Sequence, residues 1–148
     1  MLSLNAQEVF FLDDRVILVE GQEDVIFYPR ILEDLGQSFM GNFFGWGVGG
    51  AEKMGVIAEI LRDLGFVKVI GLLDKNKMQL RQQSAVDFPD YRFYCIPSND
   101  VRTKKATKSR DAVDGILDSD NKKIREEHVE TMREIITKSK DFFKSKNH

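Results

Sequence analysis

Val16-Ile17-Leu18-Val19-Glu20-Gly21-Gln22-Glu23-Asp24 is the stretch on which the reading of this chain turns. The aliphatic run predicts a strand over Arg15–Glu20, stopped by an acid and a glycine. A helix is expected to follow over Gln22–Leu35, with Val25, Ile26, Ile31, Leu32 and Leu35 on one broad face. Pro29 lies inside it and, lacking an N–H, should bend or restart it. A second apolar run, Val67 to Leu73, ends in the same way at Asp74 and reads as a central parallel strand buried on both faces. Acids ending two parallel strands project into one crevice, however far apart they lie in sequence. Converging carboxylates without paired cations nearby point to a divalent metal.

Outward from these runs the order is strand, then helix, repeated, the pattern of an α/β domain with a mostly parallel sheet of about four strands. Phe43–Val48 is the second expected strand, Gly49-Gly50 a turn, and Ala51–Leu64 a helix with Met54, Ile57, Ala58 and Leu61 at helical spacing, stopped at Gly65. Tyr91–Ile96 is the fourth strand, and Lys75–Asp90 is polar and only weakly helical around Met78–Ser84. Past Pro97 come a basic loop, a short segment over Ala112–Leu117, and Asp118-Ser119-Asp120-Asn121, a turn suited to capping a helix. Ile124, His128, Met132, Ile135, Ile136 and Phe142 mark the stripe of a final amphipathic helix. The expected organisation is a core over 1–105 and a helical extension over 106–148 packed on the same domain.

The 148 residues suit one domain able to bury roughly 70% of its unfolded surface. No apolar stretch approaches the roughly 20 residues of a spanning helix, and no basic-then-apolar leader is present, so a cytoplasmic protein without membrane contact is expected. The single cysteine, Cys95, lies within a strand-like run and fits a reducing compartment. Formal net charge is only -2. Locally, however, Arg102, Lys104, Lys105, Lys108 and Arg110 stand between Val101 and Arg110 with no acid among them, and a basic loop beside an acidic crevice can hold a phosphate backbone.

Glu20-Gly21-Gln22-Glu23-Asp24 together with Asp74-Lys75-Asn76 resembles the TOPRIM domain of topoisomerases, primases and certain nucleases. The finer resemblance is to the overcoming-lysogenization-defect (OLD) family of nucleases. It extends over Leu4-Asn5-Ala6-Gln7-Glu8-Val9-Phe10-Phe11, the Val16–Asp24 stretch, and Ile96-Pro97-Ser98-Asn99-Asp100-Val101-Arg102-Thr103-Lys104, most of the chain up to about Lys105. The resemblance implies a Rossmann-like TOPRIM fold and a Mg²⁺- or Mn²⁺-dependent nuclease module acting on DNA. It further implies a partner ATPase of the ABC type, as a domain or a separate chain, and a setting in phage defence or DNA processing. The chain has no Gly-x-x-x-x-Gly-Lys-Ser/Thr sequence, so ATP turnover would come from that partner.

Phosphodiester hydrolysis needs a neutralised phosphate, an activated water and a stabilised leaving oxygen, which one or two carboxylate-held Mg²⁺ ions supply. Glu20 is the expected metal ligand or general base, Asp24 a ligand one helical turn on, and Asp74 the ligand from the third strand, adjacent to the first if the strand order is 2-1-3-4. Asp24 also suits a helix N-terminus electrostatically. Asp100 reads equally as a second-metal ligand or a turn residue. Asn76 stands where the TOPRIM pattern has a second Asp, offering a metal a neutral oxygen and no charge. Lys77 or, matching the OLD pattern better, Lys104 would stabilise the transition-state phosphate. Lys75, Lys77, Arg102, Lys104, Lys105 and Lys108 are the candidate nucleic-acid contacts.

Two other readings stand beside the nuclease. One is a TOPRIM module weakened at Asn76 that binds nucleic acid or a protein partner without cutting. The other is dinucleotide binding, since Gly45-Trp46-Gly47-Val48-Gly49-Gly50 fits Gly-x-Gly-x-x-Gly and Asp74 ends the next strand. That fingerprint leaves Glu20 and Asp24 unexplained, and the glycines equally suit a close approach of the second helix to the crevice, where its N–H groups would meet a phosphate.

Overall fold

In the computed structural model, which describes residues 14–38, 40–46 and 50–145, the aliphatic runs form a four-stranded parallel sheet. The Leu4–Phe11 stretch and Gly47-Val48-Gly49 lie outside the described residues. The elements are β1 (Arg15–Gly21), α1 (Asp24–Asp34), β2 (Asn42–Trp46), α2 (Gly50–Asp63), β3 (Lys68–Leu73), α3 (Met78–Asp87), β4 (Arg92–Cys95) and α4 (Glu126–Lys144). The sheet order is β2-β1-β3-β4, with every neighbouring pair parallel. The polar stretch after β3 is more ordered than its sequence suggests, a turn of 3₁₀ helix over Lys75–Lys77 leading directly into α3.

Alternation along the central strands divides the core between the two faces of the sheet. Ile17, Val19, Ile70 and Leu72 pack with Tyr28, Ile31 and Leu32 of α1 and with Met132, Ile135 and Ile136 of α4. Val16, Leu18, Val69 and Leu73 face Ala51, Met54 and Ala58 of α2 and Phe88, Tyr91 and Phe93. The central strand β3 is buried along its whole length. Lys68, which opens β3, is buried too, and its ammonium donates to the Phe142 and Ser145 carbonyls at 3.0 and 2.6 Å while lying over the Phe142 ring. A cation against these last carbonyls holds the C-terminus of α4 to the sheet.

Two local expectations need correction. α1 runs continuously through Pro29, which is exposed, so water can satisfy the carbonyl that loses its helical partner. The Asp118–Asn121 turn does not cap α4, which begins only at Glu126 after Arg125. The Asp118 carboxylate instead accepts the Lys122 amide at 3.1 Å, and Asn121 takes a left-handed φ of 55°, closing a turn whose Leu117 and Ile124 pair across it.

Nor is the basic loop loose. Lys104 pairs with Val113 and Thr107 with Arg110, a common antiparallel register that makes a hairpin with Lys108 and Ser109 at its tip. Its base is fixed by fully buried Val101, Ile116 and Leu117.

The order 2-1-3-4 places the carboxyl ends of β1 and β3 side by side, with the chain leaving them toward opposite faces. Around that point the backbone is tight: a methyl group at Gly50 would overlap the carbonyl oxygen of Glu20, and one at Gly45 the carbonyl of Gly21. Gly50 is therefore where α2 meets the end of β1. Gly50→Ala should destabilise the domain by about 2–3 kcal/mol in urea unfolding, the usual cost of overpacking a rigid contact; a loss under about 0.5 kcal/mol would show that the junction is not tight.

Candidate metal centre

At the end of β1 the register against β2 slips: Val19 pairs with Gly45 but Gly21 with Trp46, leaving Glu20 as the extra residue of a bulge. A bulge re-aims the side chain it carries. Glu20 Oε2 accepts the amide of Asp74, the residue just past β3, which brings the two carboxyl groups close enough to influence each other's charge. Asp24, buried in the first turn of α1, turns its Oδ2 back to the Gly21 amide at 3.0 Å.

The chain after β4 brings a further acid to the same place. The Ile96 amide bonds to the Leu73 carbonyl and the Lys75 amide to the Ser98 carbonyl, so residues 96–100 run beside the start of the β3–α3 connection. Asp100 Oδ1 accepts the Val101 and Arg102 amides at 2.7 and 3.3 Å, while Oδ2 takes the Lys104 ammonium at 2.7 Å. Glu23 receives Arg102 on Oε2 at 2.9 Å and Lys104 on Oε1 at 3.5 Å. One carboxylate oxygen each from Glu23, Asp24 and Asp100 fall within 4.8 Å of one another.

These groups line one open cleft of about 280 Å³, with Glu52 and Lys77 on its walls and Gly50 and Ala51 at the start of α2. Burial first, and then the charges of Glu20, Asp100 and Asp24, drive the Asp74 carboxyl well above the ordinary carboxylate range. Glu20 is raised by burial although its hydrogen bonds to Asp74 work the other way. Asp24 is pushed up to about 6, mainly by burial, against the Gly21 hydrogen bond and with help from Asp100, Glu23 and Glu20. Burial disfavours the Lys104 ammonium, but its bond to Asp100 and the charges of Asp100 and Glu23 prevail and raise its pKa. Several carboxylates held together at this desolvation cost fit a hard divalent cation, which prefers oxygen ligands and would relieve their mutual repulsion.

Glu20, Asp24, Asp74, Asp100, Lys77 and Lys104 thus share one cleft. Asn76 does not line it; it is exposed on the 3₁₀ turn beside exposed Lys75. Arg102 leans over the Phe27 ring toward Glu23, and Lys105 and Lys108 are exposed on the hairpin. The expectation of carboxylates without nearby cations fails for two of the six acids lining the cleft, Glu23 and Asp100, which are paired with Arg102 and Lys104. Two acids were missed from the sequence as site residues. Glu23 sits inside the decisive stretch, next to Asp24, and Glu52 lies two residues after Gly50 in the first turn of α2.

Because folded Asp24 holds its proton more tightly than the unfolded chain does, its folded pKa being about 6 against 3.8, it favours the folded state at acid pH. This contribution, of order 3 kcal/mol, is lost as pH rises from about 4 to about 6, and Asp74 extends the decline upward. In chelator, thermal stability should therefore fall between about pH 5 and pH 8. Millimolar Mg²⁺ should raise Tm more at about pH 8 than at about pH 5.5; an equal rise at both would separate metal binding from these acids.

Comparison with known families bears on this geometry. The model of the family described as overcoming lysogenization defect protein-like, TOPRIM domain, matches residues 11–75. That span includes Glu20, Glu23, Asp24 and Asp74 and stops before Asp100 and Lys104. No curated protein and no solved structure matches the chain. The dinucleotide fingerprint begins on β2, an edge strand, and its intended ribose acid, Asp74, is engaged with Glu20. Among the described residues no helix is long and apolar enough to cross a membrane. The match covers residues 11–75, less than half of the chain, and the parallel sheet with acids at the ends of β1 and β3 agrees with it: this stretch is similar to an OLD-like TOPRIM domain, a nuclease- and primase-like type of module.

Proposed function

We propose that this domain is a Mg²⁺- or Mn²⁺-dependent endonuclease that hydrolyses DNA phosphodiester bonds. The observation that carries the reading is the gathering of Glu20 with Asp74, and of Glu23 with Asp24 and Asp100, in one cleft beside Lys77, Lys104 and a basic hairpin. Glu20, Asp24, Asp74 and Asp100 would hold the metal, with Glu23 in reach. Bound metal supplies neutralisation of the scissile phosphate and a water acidic enough to attack near neutral pH.

The chain's own groups do the rest. Glu20, whose Oε2 accepts the Asp74 amide, would be the group that takes a proton from the attacking water at a carboxylate oxygen. Lys104 Nζ and Lys77 Nζ bring positive charge toward the phosphate oxygens. Arg102, which pairs with Glu23, and the exposed Lys75, Lys105 and Lys108 would contact the backbone without reading sequence. The tyrosines are poor nucleophile candidates: Tyr28 and Tyr91 are buried, the latter hydrogen-bonded to the Phe66 carbonyl, and Tyr94 is half-buried on β4. In this reading the domain works in the cytoplasm with an ABC-type ATPase partner, in phage defence or DNA processing.

The second reading, a module that binds nucleic acid without cutting it, draws on Asn76, which supplies no charge and lies outside the cleft lining. Cleavage of supercoiled plasmid in Mg²⁺, Mn²⁺ and Ca²⁺ decides between them. Wild-type protein should nick or cut with Mg²⁺ or Mn²⁺, and Glu20→Gln, purified in parallel, should lose at least about a hundredfold in rate. Plasmid left intact by both proteins, with and without an ATPase partner, would favour the binding module.

A further inference from the structure

Glu23 and Asp100 do not present vacant oxygens to the cleft. Asp100 Oδ1 is held by two backbone amides and Oδ2 by Lys104. Glu23 has Arg102 on one oxygen and Lys104 on the other. A divalent ion drawing Glu23, Asp24 and Asp100 together would meet an ammonium already among them. Resting on the reading of this cleft as a metal centre, we propose that Lys104 and Arg102 are internal counter-ions that the metal displaces. Filling the acidic group then frees both side chains for the phosphate backbone, and metal loading and nucleic-acid affinity rise together.

The surrounding structure allows this exchange without a rearrangement of the fold. Lys104 sits at the base of the hairpin, where its amide and carbonyl each bond to Val113 at 2.9 Å, so its backbone stays while the flexible side chain swings. Arg102 is held by Glu23 and the Phe27 ring, and its Nε is buried without a hydrogen-bond partner, a donor that a phosphate oxygen would satisfy. Lys105, one residue on, is exposed. By linkage, the factor by which metal raises DNA affinity must equal that by which DNA raises metal affinity.

The test is Mn²⁺ binding without DNA, read as free Mn²⁺ by electron paramagnetic resonance, for wild type, Lys104→Met and Lys105→Met. Both substitutions remove one positive charge from the same stretch, but only Lys104 competes for the carboxylates. Lys104→Met should bind Mn²⁺ about tenfold more tightly, as expected when a charge-assisted contact no longer has to be broken, and Lys105→Met should change by less than about twofold. Unchanged or weaker binding by Lys104→Met, or equal gains in both variants, would overturn the proposal. A second arm uses a fluorescent DNA duplex in chelator: Glu23→Gln should bind it several-fold more tightly than Glu52→Gln, which removes a like charge from the same cleft. Equal affinities would overturn the counter-ion role. Absence of Mn²⁺ binding in every protein would instead remove the metal-centre reading on which the proposal stands.

Discussion

The parallel pairing of β1 with β3 is the constraint on which the site depends. It sets Glu20 opposite the start of the connection after β3, where the Asp74 amide binds its carboxylate. Two acids in this contact at a partly buried rim cannot both be ionised without strong repulsion, so the pair stores a demand for positive charge. The bulge at Glu20 and the glycine contacts at Gly45 and Gly50 keep the pair from relaxing apart. β3 packs specifically on both faces, Ile70 and Leu72 against α1 and α4, and Val69 and Leu73 against α2.

Around that pair, the second group of acids is managed differently. Asp24 is buried and keeps only a backbone donor, whereas Glu23 and Asp100 borrow cations from the segment after β4. The cleft thus has one side where burial and mutual charge raise the carboxyl pKa values and another where side-chain cations meet the acids. In the proposed metal-bound state, Arg102 and Lys104 would be released from Glu23 and Asp100. The hairpin carrying Lys105 and Lys108 is rooted in buried Val101, Ile116 and Leu117, which ties the basic surface to the acidic one through the core.

Much of this was legible in the residues because strands buried on both faces leave uninterrupted aliphatic runs, and acids ending such runs are conspicuous. Glu20 and Asp74 could be placed in one crevice on that ground, given the order 2-1-3-4 that the sheet has, while Asp24 joined them through the family resemblance. Asp100 was ambiguous for a sound reason, since its two oxygens do both things: one caps a turn and the other faces the cleft. Asn76 was misjudged from its spacing after Asp74, because the chain enters a 3₁₀ turn there and carries the side chain outward. Glu23 was passed over because adjacency to Asp24 in sequence does not say whether both side chains face the same way at a helix start.

The sequence by itself determined the parallel α/β core, its principal strands and helices, and the acids that terminate its two central strands, since hydrophobic periodicity and chain breakers act locally. Only the tertiary structure decided which charges meet. The bulge at Glu20 depends on how β1 registers against β2, and the seating of Arg102 and Lys104 on Glu23 joins segments about eighty residues apart in sequence. Electrostatic pairing varies with distances of a few ångströms that no local pattern encodes.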